Sequence, residues 1–172
     1  MKLNFDKSAG KNEVLAAVES HLQEQALPVI ATDYNRPWGG FFLVDESRAE
    51  KFIKTYFPEY SYAELNIAGK LSPKILVVAP GKRLSWQYHG RRAELWKLIG
   101  GEAALMTSDD DEESEMNRME TGAIVHLRQG VRHRLIGAEE SWGIVAEIWQ
   151  HTERDNPSDE DDIIRLQDDF GR

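Results

Sequence analysis

The chain has 172 residues, 41% hydrophobic and 30% charged, enough for one domain with a buried core. A formal charge of -9 argues against nucleic acid as a partner, because phosphate binding needs a net basic face. With no cysteine, disulfides, thiolate metal sites and cysteine nucleophiles are excluded.

The opening residues, Met1 to Asp6, lack the apolar run of a signal peptide. No stretch reaches the roughly 20 apolar residues of a membrane span. A cytoplasmic protein without a membrane partner is the expectation. Residues 12 to 26 read as a helix with Asn12 as its cap and Val14, Leu15, Val18 and Leu22 as its apolar stripe. His21 is then an ordinary helix residue. A short strand over 27 to 31, a turn at Arg36-Pro37-Trp38-Gly39-Gly40 and a strand over 41 to 44 come next. Ser47-Arg48-Ala49-Glu50 has the form of a capping box, which predicts a helix with Phe52, Ile53, Tyr56 and Phe57 on one face, stopping before Pro58.

Residues 1–70 therefore form an α/β extension packed on the remainder of the chain. From Ser72 the texture changes to short strands, over 75 to 79, 84 to 89, 93 to 99, 102 to 107, 115 to 119, 123 to 127, 133 to 136 and 142 to 150. Strands at this spacing, punctuated by glycine, predict a mainly β jelly-roll barrel over 71–172. The acidic runs 109 to 113 and 159 to 162 read as a solvated loop and a solvated tail.

Strand alternation brings Gln87 and His89 to one face, and Glu94 shares its own face with Arg92, Trp96 and Leu98. If those faces meet, and His133 enters after the turn at Gly130, four side chains assemble one metal site. Imidazole, carboxylate and amide oxygen suit zinc first, with cobalt, manganese, nickel or iron as alternatives, better than calcium. Four protein ligands leave room for water or substrate, as a catalytic ion requires. His126 and His151 lack such company and read as structural. Trp86, Tyr88, Trp96, Trp142 and Trp149 read as core or dimer packing rather than as a sugar platform.

At these residues the chain resembles a cupin. Gly81, Gln87, His89, Glu94 and Gly101 fall at the spacing of the first cupin motif, with Gln87 replacing its first histidine; Gly122, Gly130 and His133 meet the second. The implied fold is the cupin double-stranded β-helix with an N-terminal α/β extension. The series Arg36-Pro37-Trp38-Gly39, Pro80-Gly81, Leu84-Ser85, Gln87-x-His89, Arg92-Ala93-Glu94-x-Trp96, His133-Arg134-Leu135, Glu160-Asp161-Asp162-Ile163 and Phe170-Gly171-Arg172 resembles, more narrowly, the isomerase domain of type II mannose-6-phosphate isomerases. That resemblance implies a metal-dependent interconversion of mannose 6-phosphate and fructose 6-phosphate, and a homodimer. Many members carry a nucleotidyltransferase domain ahead of this one. No such domain fits before Arg36, so a stand-alone isomerase is expected, without sugar-nucleotide synthesis.

Isomerisation needs a base for the carbon-bound proton and cations for the phosphate. Glu147, charged in an otherwise apolar strand, and Lys97 are the base candidates. Arg92 shares parity with Glu94 and is the first phosphate candidate, with Arg91 beside it; the resemblance adds Lys74 for phosphate and Arg134 for catalysis. Alternation turns Arg134 away from the face of His133 unless a bulge intervenes. Histidines that many members carry are replaced here by Arg91 and Leu95, which opens the way to another sugar phosphate such as a heptose phosphate. An iron-dependent cupin oxygenase and a non-catalytic sugar-binding module are the competing readings.

Overall fold

The structure is a computed structural model that describes residues 3–171. Helix α1 (Lys11–Glu24) buries Val14, Leu15, Val18 and Leu22. Its cap is Gly10 rather than Asn12, because the Glu13 carboxylate reaches back to the Gly10 N–H (3.4 Å). The box expected at Ser47 is also displaced. Asp45, carrying a full charge two residues earlier, accepts from the Ser47 N–H (2.9 Å). A single 3-10 turn (Glu46–Arg48) then leads into α2 (Ala49–Tyr56). The capping box forms instead at Ser61, where Glu64 accepts from the Ser61 N–H (2.7 Å), and opens α3 (Tyr62–Leu65).

The strands are β1 (Val29–Asp33), β2 (Gly39–Val44), β3 (Lys74–Val78), β4 (Trp86–Tyr88), β5 (Arg92–Gly101), β6 (Ala103–Ser108), β7 (Asn117–Arg118), β8 (Ile124–Leu127), β9 (Arg132–Gly137), β10 (Gly143–His151) and β11 (Ile164–Gln167). They form two antiparallel sheets, β1-β2-β3-β10-β5-β8 and β11-β4-β9-β6-β7. The architecture is mainly β with an N-terminal α/β portion, and residues before 70 also add β1 and β2 to the larger sheet.

That sheet is covered on both sides, which is why β3 and β10 read as nearly unbroken apolar runs. Ile75, Val77, Leu95, Ile144, Ala146 and Ile148 turn outward into a core shared with α1, α2 and the fully buried Phe52 and Phe57. Leu76, Val78, Trp96, Leu98 and Val145 turn inward to a second core with Leu105 and Leu135 from the smaller sheet. Each fully buried side chain of this size contributes roughly 1.5–3 kcal/mol, so the outer core fixes the strands whose inner faces carry charge. On that inner face the register sets Glu147 between Lys74 of β3 and Trp96 of β5.

The acidic run at 159 to 162 is largely solvated, as expected, but it is anchored rather than a free tail. The Asp162 carboxylate accepts from the main-chain N–H groups of Gly90 (2.9 Å) and Arg91 (3.0 Å), donors that the β4–β5 turn leaves without a ladder partner. The chain then continues into β11, which pairs with β4. The other acidic run is only partly solvated: Asp111 pairs with Arg132 (2.6 Å) and Glu113 with the buried Arg134. Among the described residues no helix is long and apolar enough to cross a membrane.

Gly101 closes β5 with φ +63°, and a Cβ there would stand 1.7 Å from the Trp142 carbonyl oxygen. Backbone cannot yield that far. Gly101→Ala is expected to lower unfolding free energy by more than about 2 kcal/mol in urea titrations.

Candidate metal centre

The site bridges the two sheets. His89 comes just after β4 of the smaller sheet, the chain crosses at Gly90 and Arg91, and Glu94 lies in β5 of the larger. His133 in β9 stands directly across from Gln87, a cross-strand position at which side chains meet. His89, Glu94 and His133 are all buried, and one ligand atom from each lies within 4.8 Å of the other two. His89 Nε2 is 3.2 Å from Glu94 Oε1, and His133 Nε2 is 3.4 Å from Glu94 Oε2.

Main-chain carbonyls set both tautomers. His89 Nδ1 donates to the Asp162 carbonyl (2.6 Å) and His133 Nδ1 to the Val131 carbonyl (2.9 Å). Each ring therefore presents a bare Nε2 toward Glu94. Burial pushes His89 down to about 4, so the ring is neutral near pH 7. Burial alone would push Glu94 up, but its neighbours, above all the Arg92 guanidinium bonded to Oε1, hold it well below the usual carboxylate range. His133 Nε2 and Glu94 Oε2 are buried and have no hydrogen-bond partner. Acceptors facing one another without a proton between them fit a divalent cation. Gln87 reaches the group through Nε2, 3.5 Å from His89 Nε2, while its Oε1 accepts from Ser85 Oγ (2.5 Å). Turning the amide over would present the oxygen instead.

Arg92 compensates part of the charge: Nε donates to Glu94 Oε1 (2.7 Å) and a terminal nitrogen lies 3.1 Å from His89 Nε2. Its guanidinium also stacks on Trp149, 3.6 Å from the ring centroid. Beyond Glu94 and Arg92 opens a cavity of about 380 Å³ that Lys74, Trp96, Glu147 and Trp149 also line. Trp96 Nε1 donates to Glu147 Oε1 (2.9 Å). Burial first, and the charge of Glu94 second, push Glu147 up to about 8, against the pull of Lys74 and Arg92.

Three other sequence candidates lie elsewhere. Lys97 is not among the residues lining the cavity and pairs with Glu59 (3.1 Å). Arg134 is fully buried, and no bulge interrupts the register of β9 with β6. It pairs with Glu113 and donates to the Gln167 carbonyl (3.2 Å). Arg91 holds the segment before β11 through Asn156 Oδ1 (2.7 Å) and Asp159 (3.2 Å). Asp162 and Glu160 of that segment were not singled out from sequence; the likeness of Glu160-Asp161-Asp162-Ile163 to a family series was the signal that could have found them. His151, expected to be structural, is buried beside Ser72 Oγ (3.1 Å).

Two facing antiparallel sheets with a buried His–Glu–His group between them are those of a cupin. Residues 44–168 match the family described as mannose-6-phosphate isomerase C-terminal, and the chain belongs to that family. It is similar to the xanthan biosynthesis protein XanB of Xanthomonas campestris pv. campestris strain B100, 29% identical over 73% of this chain and 25% of that protein. It is likewise similar to the alginate biosynthesis protein AlgA of Pseudomonas aeruginosa, 32% identical over 73% of this chain and 24% of that protein. The chain thus spans about a quarter of the length of these curated relatives. Among solved structures, the capsular polysaccharide assembling protein CapF of Staphylococcus aureus superposes with a TM-score of 0.52 at 13% identity, covering 81% of this chain and 34% of that one. That likeness concerns the fold alone.

The proton on Glu147 gives a pH dependence. The folded carboxyl keeps a proton that the unfolded chain releases, so its contribution to stability is present below about pH 4.5 and is lost as pH rises through about 8. In chelator-treated protein, Glu147→Gln is expected to flatten the decline of unfolding free energy across that window, read by urea unfolding at a series of pH values.

Proposed function

We propose that the chain is a metal-dependent sugar-phosphate isomerase that interconverts an aldose phosphate and its ketose, mannose 6-phosphate and fructose 6-phosphate being the first pair to test. The observation that carries this is the cavity, where Glu94 of the His89–Glu94–His133 group lines one space with a buried carboxyl poised near neutrality and two buried cations. Family membership supports the substrate class.

His89, Glu94 and His133 would hold the ion, with Gln87 as a fourth ligand after its amide turns. Zinc suits the donor set, and cobalt, manganese, nickel and iron are also compatible. When bound, such an ion polarises the sugar carbonyl and offsets charge that develops on its oxygen. Everything else falls to the chain. Glu147, with both protonation states populated near pH 7, takes the proton from one carbon and returns it to the neighbouring one. Trp96 holds its carboxyl in place through Nε1. Lys74 and Arg92 attract the anionic substrate, and Trp149 keeps both cations in a dry setting. Arg134 and Arg91 support this arrangement from outside the cavity, by fixing the acidic loop and the segment before β11. A cytoplasmic homodimer belongs to the same reading.

A metal-reconstituted assay over hexose and heptose phosphates tests it. Turnover of at least one is expected, with Glu147→Gln lowering kcat by about 10²- to 10⁴-fold and Lys97→Met leaving it unchanged. No turnover of any of them by ion-loaded protein would overturn the reading.

A further inference from the structure

The segment between β10 and β11 forms one wall of the cavity and delivers a carboxylate to its cationic end. Lys74 is 3% exposed, and its ammonium lies 3.3 Å from the Trp149 ring centroid and 5.2 Å from that of Phe41. Its ion-pair partner is Glu160, whose side chain is 60% exposed. The two partners are unequally held: one is fixed in the interior and the other reaches in from solvent.

The main chain beneath Glu160 is anchored on both sides without it. The Asp159 carbonyl accepts from Arg92 (3.1 Å), and Asp162 clasps the β4–β5 turn and accepts from Ser158 Oγ (2.6 Å). The Glu160 carboxylate is thus free to swing outward while the wall, and the Asp162 carbonyl that sets the tautomer of His89, stay where they are. Burial disfavours the charged form of Lys74, so an ammonium there needs an anion beside it. A neutral ligand that displaced Glu160 would leave that charge buried with only Glu147 for company, a carboxyl that itself holds a proton up to about pH 8. A phosphate monoester replaces one carboxylate charge with more charge and more acceptor oxygens.

Building on the sugar-phosphate reading, we infer that Glu160 is a placeholder for the anionic group of the substrate. It occupies the Lys74 subsite until a phosphate monoester exchanges for it, and this exchange selects phosphorylated over neutral sugars. Glu160 is then a specificity-determining residue that touches neither the reacting carbons nor the metal ligands.

The test is the affinity of the full chain for inorganic phosphate, measured by calorimetry with chelator present so that no bound ion contributes. Glu160→Gln removes the competitor and is expected to tighten phosphate binding roughly fivefold. Asp110→Asn makes the same charge change on the exposed acidic loop and is expected to leave the affinity unchanged. Lys74→Met, checked for a native circular dichroism spectrum, is expected to lose the binding. Unchanged or weaker binding by Glu160→Gln overturns the inference, as does equal tightening by Asp110→Asn. The two readings fail separately. Tighter phosphate binding without turnover of any sugar phosphate would remove the isomerase and leave the subsite standing. Turnover with an affinity that ignores Glu160 would do the reverse.

Discussion

Two imidazoles and a carboxylate aim their lone pairs at one another in the buried space between the sheets, and nothing in those three side chains themselves makes that arrangement favourable. The Nδ1 protons of His89 and His133 are committed to main-chain carbonyls, so neither ring can donate to Glu94 in this tautomer. Arg92 supplies a compensating charge to one carboxylate oxygen only. His133 Nε2 and Glu94 Oε2 are still left buried without a partner, each such atom costs roughly 1–3 kcal/mol, and a domain of this kind is stable by about 5–15 kcal/mol. A cation held among the three would offset that deficit, and the surrounding structure supplies what is needed to keep the three atoms converged.

Each support comes from a different part of the chain. The outer core, where α1 and α2 pack on the larger sheet, fixes β3, β5 and β10, so their inner faces can carry Lys74, Glu94 and Glu147 without moving apart. The smaller sheet brings His133 opposite Gln87. The segment before β11 closes the assembly, since Asp162 uses its carboxylate on the β4–β5 turn and its carbonyl on His89. The cavity then contains two ion pairs of different character. Arg92–Glu94 is buried at both ends, whereas Lys74–Glu160 has one end in water. The first belongs to the scaffold and the second can exchange.

Much of this was legible from alternation and spacing. The positions of Gln87, His89, Glu94 and His133 and the strand pattern from residue 74 to the end of β10 were readable because half-buried strands repeat every two residues, whereas β11 was not foreseen. By the same parity Lys97 of β5 lies on the face opposite Glu94, so its candidacy was weaker than that of Glu147. For Arg134, alternation gave the direction and the unbroken β9 register fits it. What local sequence could not supply was the use made of charge. Asp45 took the cap offered to Ser47, and Glu13 moved a helix start to Gly10, because competition among nearby acceptors is settled by geometry. Residues 159 to 162 looked like solvent-loving tail, yet their partners, Gly90, Arg91 and Lys74, lie 71 to 86 positions away.

The central claim is that His89, Glu94 and His133 bind one divalent ion, and cobalt(II) absorption reports it directly. Titrating chelator-treated protein should produce a visible ligand-field spectrum that saturates at one equivalent per chain. Glu94→Gln and His133→Ala, each confirmed to be folded, should weaken that binding by more than about a hundredfold. Saturation at no defined stoichiometry, or binding by either variant as tight as by the parent, would contradict the account.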